Sequence, residues 1–326
     1  MTKITRNLRI VVLGGLGDCL LHTPFIRHFR MSGAYDRIAC MVPEFTLQLF
    51  DRNPYIDLLV GCQGPDLALW ALPEQDFEVF SPYIRARLRA IRDGALGLES
   101  CVSIKCGAGW IGTPGDAHIL RQIAQRYGIQ LTDESLDMFT APEDDEWAET
   151  FAGGLGAKPI IMLNRRTARS FKEYPRERWQ AVVDLLAERA TVLELGAPAE
   201  ALGGVKCIWP LQPLRRTAAL FRRARCVVTV DSFSAHLATA VGTPAVVVFG
   251  PTHPAIFGHP VNRNIRCAPC DPCFDPDEVG CREPVCLTQL PPQTIVAAVL
   301  SILATSPPDR ALKSPMPWGA CNVRHY

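Results

Sequence analysis

The segment Asp231-Ser-Phe-Ser-Ala-His236 places a carboxylate, two hydroxyls and an imidazole directly after the apolar, β-branched run Cys226–Val230. A strand, a hydroxyl-rich turn and a helix start make an anion site. The first free amides of the helix point into the turn, where an anion also meets the positive end of the helix dipole. Ser232 or Ser234 is the expected N-cap. Read more plainly, Asp231 and Ser232 only cap a helix, as in many α/β proteins. A second apolar run, Ala245–Phe249, ends in the tight turn Gly250-Pro251-Thr252.

Cations follow another expected strand, 159–163. The stretch 164–179 carries Arg165, Arg166, Arg169 and Lys172 before Tyr174-Pro175 and Trp179. A basic loop is commonly a solvated face, but cations at the end of a buried strand are placed to neutralise phosphate charge. After the next strand comes Gly196-Ala-Pro198-Ala-Glu200, a glycine turn with a downstream acid that a turn alone also explains.

Near the N-terminus, Gly14-Gly15-Leu-Gly17-Asp18 follows the apolar run 8–13. Gly15 and Gly17 let backbone approach a substrate closely, and Asp18 stands at a helix start, where open α/β sheets bind ligands. The dinucleotide fingerprint does not fit. Its third glycine would fall on Leu20, and Met41-Val42-Pro43 stands where a ribose-binding acid is needed.

Taken together, VDSFSAHLATAVGTPAVVVFGPTHP, the Gly14–Asp18 turn continuing to His22-Thr-Pro24, and Lys172 before Tyr-Pro and Trp179 resemble glycosyltransferase family 9, the lipopolysaccharide heptosyltransferases and their relatives. The resemblance implies a GT-B fold, two Rossmann-like doubly wound α/β domains facing across a cleft that closes on substrate. It implies inverting transfer of a sugar, heptose from ADP-heptose in the best-known members, to a hydroxyl of a lipopolysaccharide-core or related glycan. Asp18 would be the catalytic base, because the attacking hydroxyl must lose a proton. Lys172, with Arg166 and Arg169, would contact the donor phosphates. Gly196 and Glu200 would lie near the nucleoside, and Asp231, Ser232, Ser234 and His236 would complete the donor pocket. Phe233 departs from the family pattern, which has a small residue after Asp-Ser or Asp-Thr, and a ring there bears on the shape of the sugar pocket.

Thirteen cysteines are many for a reducing compartment. Most, such as Cys40, Cys62, Cys101 and Cys226, sit singly in apolar runs, where a reduced thiol packs as a small core group. Cys267, Cys270, Cys273, Cys281 and Cys286 are instead spaced C-x2-C-x2-C-x7-C-x4-C in a loop, 267–286, rich in Pro and Asp. Paired thiolates suit a structural zinc or iron, although the C-x4-C pair and the fifth cysteine depart from the usual zinc pattern. Catalysis itself is expected to need no metal. A related branch that heptosylates autotransporter proteins is associated with an iron-binding cysteine cluster, which leaves a protein acceptor open as well. A non-catalytic binding or scaffold protein of the same fold, with this loop as its working part, is the remaining reading.

These motifs must be positioned by elements. Expected strands at 8–13, 38–42, 58–60, 77–80 and 101–104 alternate with helices at 19–31, 83–92 and 118–127, the rhythm of a parallel sheet covered on both faces. After an acidic and glycine-rich stretch the rhythm restarts: strands at 159–163, 191–195, 227–230 and 245–249, helices at 176–190, 217–223, 235–241 and 292–304. With 326 residues the chain exceeds the ~250–300 at which single cores stop growing. The expected division is 1–156 for the acceptor domain, 157–305 for the nucleotide-sugar domain and 306–326 for a loosely ordered tail. A net charge of +1 and 48% hydrophobic residues describe a soluble protein with no general pull toward nucleic acid. No run reaches the ~20 apolar residues of a membrane span, and the charged N-terminus leads straight into a strand. The expected location is the cytoplasm, at most with peripheral contact at the inner face of the membrane. The acceptor, whether glycan, lipid-linked or protein, would be met by loops of the first domain such as 65–75 and 107–116.

Overall fold

The computed structural model describes residues 7–12, 14–62, 101–106, 117–126, 128–208, 212–267, 270–274, 281, 283–305 and 322–325. The expected strand at 77–80, the helix at 83–92 and the loops 65–75 and 107–116 lie outside these residues. The chain divides into two compact units. The first holds the strands up to residue 106, the segment Ile123–Phe139 and the last strand, and the second holds 117–122 and 140–305.

In the first unit β1 (Asn7–Val12), β2 (Arg37–Pro43), β3 (Leu58–Cys62), β4 (Cys101–Cys106) and β11 (Asn322–His325) form one sheet in the order β11-β3-β2-β1-β4. All four pairings are parallel. The single expected helix over 19–31 is two, α1 (Leu16–Leu21) and α2 (Thr23–Met31). Thr23 Oγ1 bonds the carbonyl of Leu20 at 2.8 Å, and Pro24, lacking an N–H, suits the first turn of a new helix. The tail is not uniformly loose: Asn322–His325 adds a parallel edge strand on β3. A short helix α3 (Leu47–Phe50) leads into β3, and α4 (Ile119–Arg126) contains the chain's passage between the units.

The acidic stretch expected to mark the boundary is helix α5 (Pro142–Gly153) of the second unit. Its acids pair with the arginines of α7 (Leu214–Arg223): Arg215 reaches Asp144 at 3.1 Å, Arg223 reaches Glu149 at 2.7 Å, and Arg222 bonds Asp145. Many contacts therefore cross the point where few were expected, and the division falls near Thr140 rather than near 156.

The second unit carries β5 (Ile160–Asn164), β6 (Thr191–Leu195), β7 (Lys206–Ile208), β8 (Cys226–Val230), β9 (Ala245–Phe249) and β10 (Arg263–Arg266). They run parallel in the order β10-β9-β8-β5-β6-β7. Counted within the unit this is the doubly wound order 3-2-1-4-5-6, whose direction reverses between β5 and β8. Every residue of β8 and β9 is buried, as continuous apolar runs in a covered parallel sheet should be. The edge strands β7 and β10, short and half polar, carry no such run and were not expected. Helices α6 (Arg176–Leu186) and α11 (Pro292–Leu303) cover one face through Trp179, Val183, Leu186, Val296 and Val299. Each such side chain contributes about 1.5–3 kcal/mol on burial. Helices α8 (Phe233–Ala240), α9 (Pro254–Phe257) and α10 (Val285–Thr288) follow β8, β9 and the cysteine loop.

Candidate functional site

The reversal between β5 and β8 decides where a ligand belongs in the second unit. Chains leaving these two strands turn to opposite faces and open a crevice at their C-terminal ends. Asn164 ends β5 and Asp231 follows β8. The Asn164 amide donates to Ser234 Oγ across this point at 2.7 Å, and its Oδ1 accepts the Arg166 amide at 3.2 Å. One side chain thus ties both loops.

Two further elements then converge on Asp231. Lys172, from the one-turn helix Ser170–Lys172 after β5, donates from Nζ to Asp231 Oδ2 at 2.7 Å. Thr252, from the turn after β9, donates from Oγ1 to the same oxygen at 2.7 Å. Asp231 is buried, and burial alone would raise its pKa; the charge and hydrogen bond of Lys172, the bond from Thr252 and the charge of His236 instead hold it below the usual carboxylate value. Lys172 keeps partial exposure, 20% of its side chain, and its ammonium lies 5.9 Å from the Phe257 ring centroid. A cation ready at a crevice, backed by an ionised carboxylate, is suited to a diphosphate.

Ser232 is the N-cap of α8 as expected, but neither serine makes a capping side-chain bond. The Ser232 hydroxyl meets Thr229 Oγ1 at 3.0 Å, while Ser234 is taken by Asn164. His236 is buried, with its Nδ1 2.8 Å from Nε2 of His259. Phe233 opens α8 as its first residue.

The remaining basic residues divide. Arg166 is exposed, within 3.6 Å of Glu173 and 3.7 Å of Glu200, and Arg169 is exposed. Arg165 was missed as a site residue. It is buried against Glu194 at 2.5 Å, and Glu194 also accepts the Leu202 amide at 3.0 Å. Arg165 and Arg176 both bond the Glu200 carbonyl, so the turn after β6 is held from three sides. Gly196, at φ +149°, opens that turn in a conformation that side chains disfavour. Thr252 and His259 were also missed: Thr252 was legible as the turn after a buried strand, whereas nothing near His259 marks it.

In the first unit Asp18 is exposed in α1, and its Oδ2 accepts the Gly15 amide at 2.8 Å. Gly14, at φ +124°, makes room for it, since a Cβ there would lie 2.5 Å from that oxygen. Gly17 lies within the first turn of α1. His22 donates from Nδ1 to the Asp18 carbonyl at 2.6 Å, and burial lowers its pKa, which keeps the ring neutral beside the carboxylate turn.

Among the described side chains Cys19, Cys40, Cys62 and Cys226 are buried. Cys286 is pushed up to about 11 by burial and by the nearby Cys270, Cys273 and Cys281, which places these four thiols near one another, with Cys267 packed against the core beside them. No three His, Cys, Asp or Glu among the described residues are arranged to hold a metal ion. No helix among them is long and apolar enough to cross a membrane.

Comparison with known proteins agrees with this architecture. Residues 120–279 match the profile of Glycosyltransferase family 9 (heptosyltransferase). The lipopolysaccharide heptosyltransferase 1 of Escherichia coli K12 is 33% identical over 103 residues, 28% of this chain and 32% of that enzyme, so the match spans about a third of the curated relative. A family 9 glycosyl transferase from Veillonella parvula superposes with a TM-score of 0.70 at 19% identity, covering 92% of this chain and 98% of that one. E. coli heptosyltransferase WaaC with ADP gives 0.60 at 18% identity, with 91% and 100% covered. TibC, an iron-containing dodecameric glycosyltransferase from enterotoxigenic E. coli, gives 0.61 at 14%, with 92% and 76% covered. At these identities the structures speak for the fold, two Rossmann-like domains of the GT-B type. The profile match over residues 120–279 and the motifs around Asp18, Lys172 and Asp231 make the chain similar to glycosyltransferase family 9, the heptosyltransferases.

Proposed function

We propose that the protein is an inverting glycosyltransferase that moves heptose from ADP-heptose to a hydroxyl of a lipopolysaccharide-core-type acceptor. The observation that carries this reading is the meeting of Lys172, Asp231 and Thr252 at the crevice between β5 and β8. The second unit binds the nucleotide end. Lys172 takes the diphosphate, and the turn Gly196–Glu200, braced by Arg165, receives the nucleoside. Asp18 in the first unit removes the proton of the acceptor hydroxyl as that oxygen attacks the anomeric carbon opposite the leaving group. The carbon–oxygen bond to the acceptor forms, the bond to ADP breaks, and Lys172 meets the negative charge that grows on the diphosphate. Arg166 and Arg169 belong to the same basic loop and add to its positive field. Such an enzyme works in the cytoplasm, at the inner face of the membrane where lipid-linked acceptors are assembled.

Calorimetric titration with ADP, UDP and GDP tests the donor site. ADP is expected to bind selectively, and ADP-heptose more tightly than ADP. Preference for UDP or GDP would leave the mechanism but change the sugar nucleotide, whereas no binding of any of the three would overturn the reading.

The cysteine loop stands apart from this chemistry, and we place a structural zinc or iron there, held by thiolates of Cys267, Cys270, Cys273, Cys281 and Cys286. TibC, similar in fold, is described as containing iron. The thiols of Cys270, Cys273, Cys281 and Cys286 are near one another, and among the described residues no three such groups are arranged to hold a metal ion. Elemental analysis is expected to find zinc or iron in stoichiometric amount, and its removal by chelator to lower the melting temperature while ADP affinity persists. A metal-free protein, or ADP affinity lost with the metal, would refute this role.

A further inference from the structure

Three histidines of the second unit gather beside the Lys172–Asp231 pair. His236 lies in the first turn of α8, near enough for its charge to act on Asp231. Its Nδ1 is 2.8 Å from His259 Nε2, with the rings almost perpendicular at 87°. His118 packs against the His259 ring with centroids 5.4 Å apart. Both His236 and His259 are buried.

The backbone fixes His259. At Gly258 a Cβ would come within 2.5 Å of the Pro254 carbonyl and 2.6 Å of Asn264 Nδ2. Its absence lets Asn264 donate to the His259 carbonyl at 3.0 Å, which pins the residue that carries the ring. The contact with His236 therefore comes from how the loop is built.

One proton lies between two imidazole nitrogens at this distance, and its owner decides what His236 can do at its other nitrogen. When His259 is the donor, His236 Nδ1 is a bare acceptor and its own proton sits on Nε2. A cationic His236 donates from Nδ1 and still keeps the Nε2 proton. Only a neutral His236 donating from Nδ1 leaves Nε2 bare, with a lone pair that would repel an anion. The ionised carboxylate of Asp231, on which the charge of His236 acts, favours the cationic form, and that form carries the Nε2 proton. Burial first, then the charges of His236 and His118, lower His259 to about 2, so it stays neutral and serves as donor or acceptor without competing for charge.

Resting on the donor-site reading above, we propose that His259 is a positioning residue for donor binding, which holds His236 protonated on Nε2 so that α8 offers a hydrogen-bond donor to the nucleoside diphosphate. An outer partner of this kind commonly sets the ring orientation and tautomer of a functional histidine.

The test combines nitrogen NMR of the histidine side chains in the free protein with ADP titrations of wild type, His259→Phe and His259→Gln. Wild type is expected to show His236 protonated on Nε2. Phenylalanine keeps an aromatic ring against His118 but removes the partner nitrogen, and should weaken ADP binding by about tenfold, the scale of one hydrogen bond to a charged group. Glutamine, whose amide stands near the former Nε2, should restore most of that affinity, a rescue that packing alone would not produce. A bare Nε2 on His236 in wild type, or equal ADP affinity in all three proteins, overturns the inference while leaving the donor site intact. A wild type that binds no ADP refutes the donor-site reading itself and this inference with it.

Discussion

Asp18→Asn is expected to lower the rate of transfer by about 10²–10⁴-fold, the usual contribution of a positioned general base, with ADP affinity within a few fold of wild type. Asparagine retains an oxygen that can accept the Gly15 amide, now bonded at 2.8 Å, so α1 and the fold of the first unit should survive. What it loses is the lone pair basic enough to take a proton. The proposed nucleotide site, Lys172, Asp231 and Thr252 of the second unit, should not register the change. Gly14→Ala is the companion variant. A methyl group 2.5 Å from Asp18 Oδ2, at φ +124°, has to displace the carboxylate or the turn. Activity should fall in that protein although Asp18 is chemically unchanged. Wild-type turnover in Asp18→Asn would remove the base assignment, and normal turnover in Gly14→Ala would show that the carboxylate need not sit where the turn holds it.

How legible such a site is depends on the range of the interactions that build it. Strands β8 and β9 were readable because a parallel strand covered on both faces must be apolar throughout, and these are. Asp231 and Asp18 were readable because each follows such a strand at a helix start, and open α/β sheets bind ligands there. The partners were harder to see. Lys172 and Asp231 are 59 residues apart and Asn164 and Ser234 are 70 apart, distances over which no local pattern acts. That is also why the capping bond of Ser234 is not made: a serine hydroxyl in this turn can cap the helix or bond a side chain from another strand, and only the sheet order brings Asn164 close enough to compete. The acidic run of α5 resembles a linker until Arg215, Arg222 and Arg223 stand opposite it. Asn322–His325 has no apolar alternation, and pairs with β3 because the edge of a sheet offers unpaired backbone groups to any extended segment. His259 illustrates the limit, since its proposed role lies wholly in a contact with a residue 23 positions away.

Lys172→Ala is expected to weaken ADP binding by about 10–100-fold, corresponding to roughly 1.5–3 kcal/mol for a charge-assisted bond to phosphate, and to do so with a stability change whose pH dependence identifies the cause. In wild type Asp231 is held below the usual carboxylate value despite its burial, chiefly by Lys172. A carboxylate lowered on folding stabilises the native state at pH above its unfolded value, and that contribution is lost as pH falls from about 4 through the lowered folded value. Alanine removes the main compensating charge and leaves Asp231 buried with the bond from Thr252 and the smaller effect of the His236 charge. Burial then prevails, its pKa rises, and the variant should melt lower than wild type at neutral pH. As pH falls from about 4 through the lowered folded value the wild type protonates Asp231 as well, and the two melting temperatures should converge. An offset that persists unchanged into acid would show that Lys172 stabilises the unit by packing its stem near Phe257 rather than by its charge. Unchanged ADP affinity would remove it from the donor site altogether. The two readings separate cleanly because the same ammonium answers Asp231 in the free protein and the diphosphate when nucleotide enters: if its charge is what matters, affinity and the pH-dependent part of stability must be lost together.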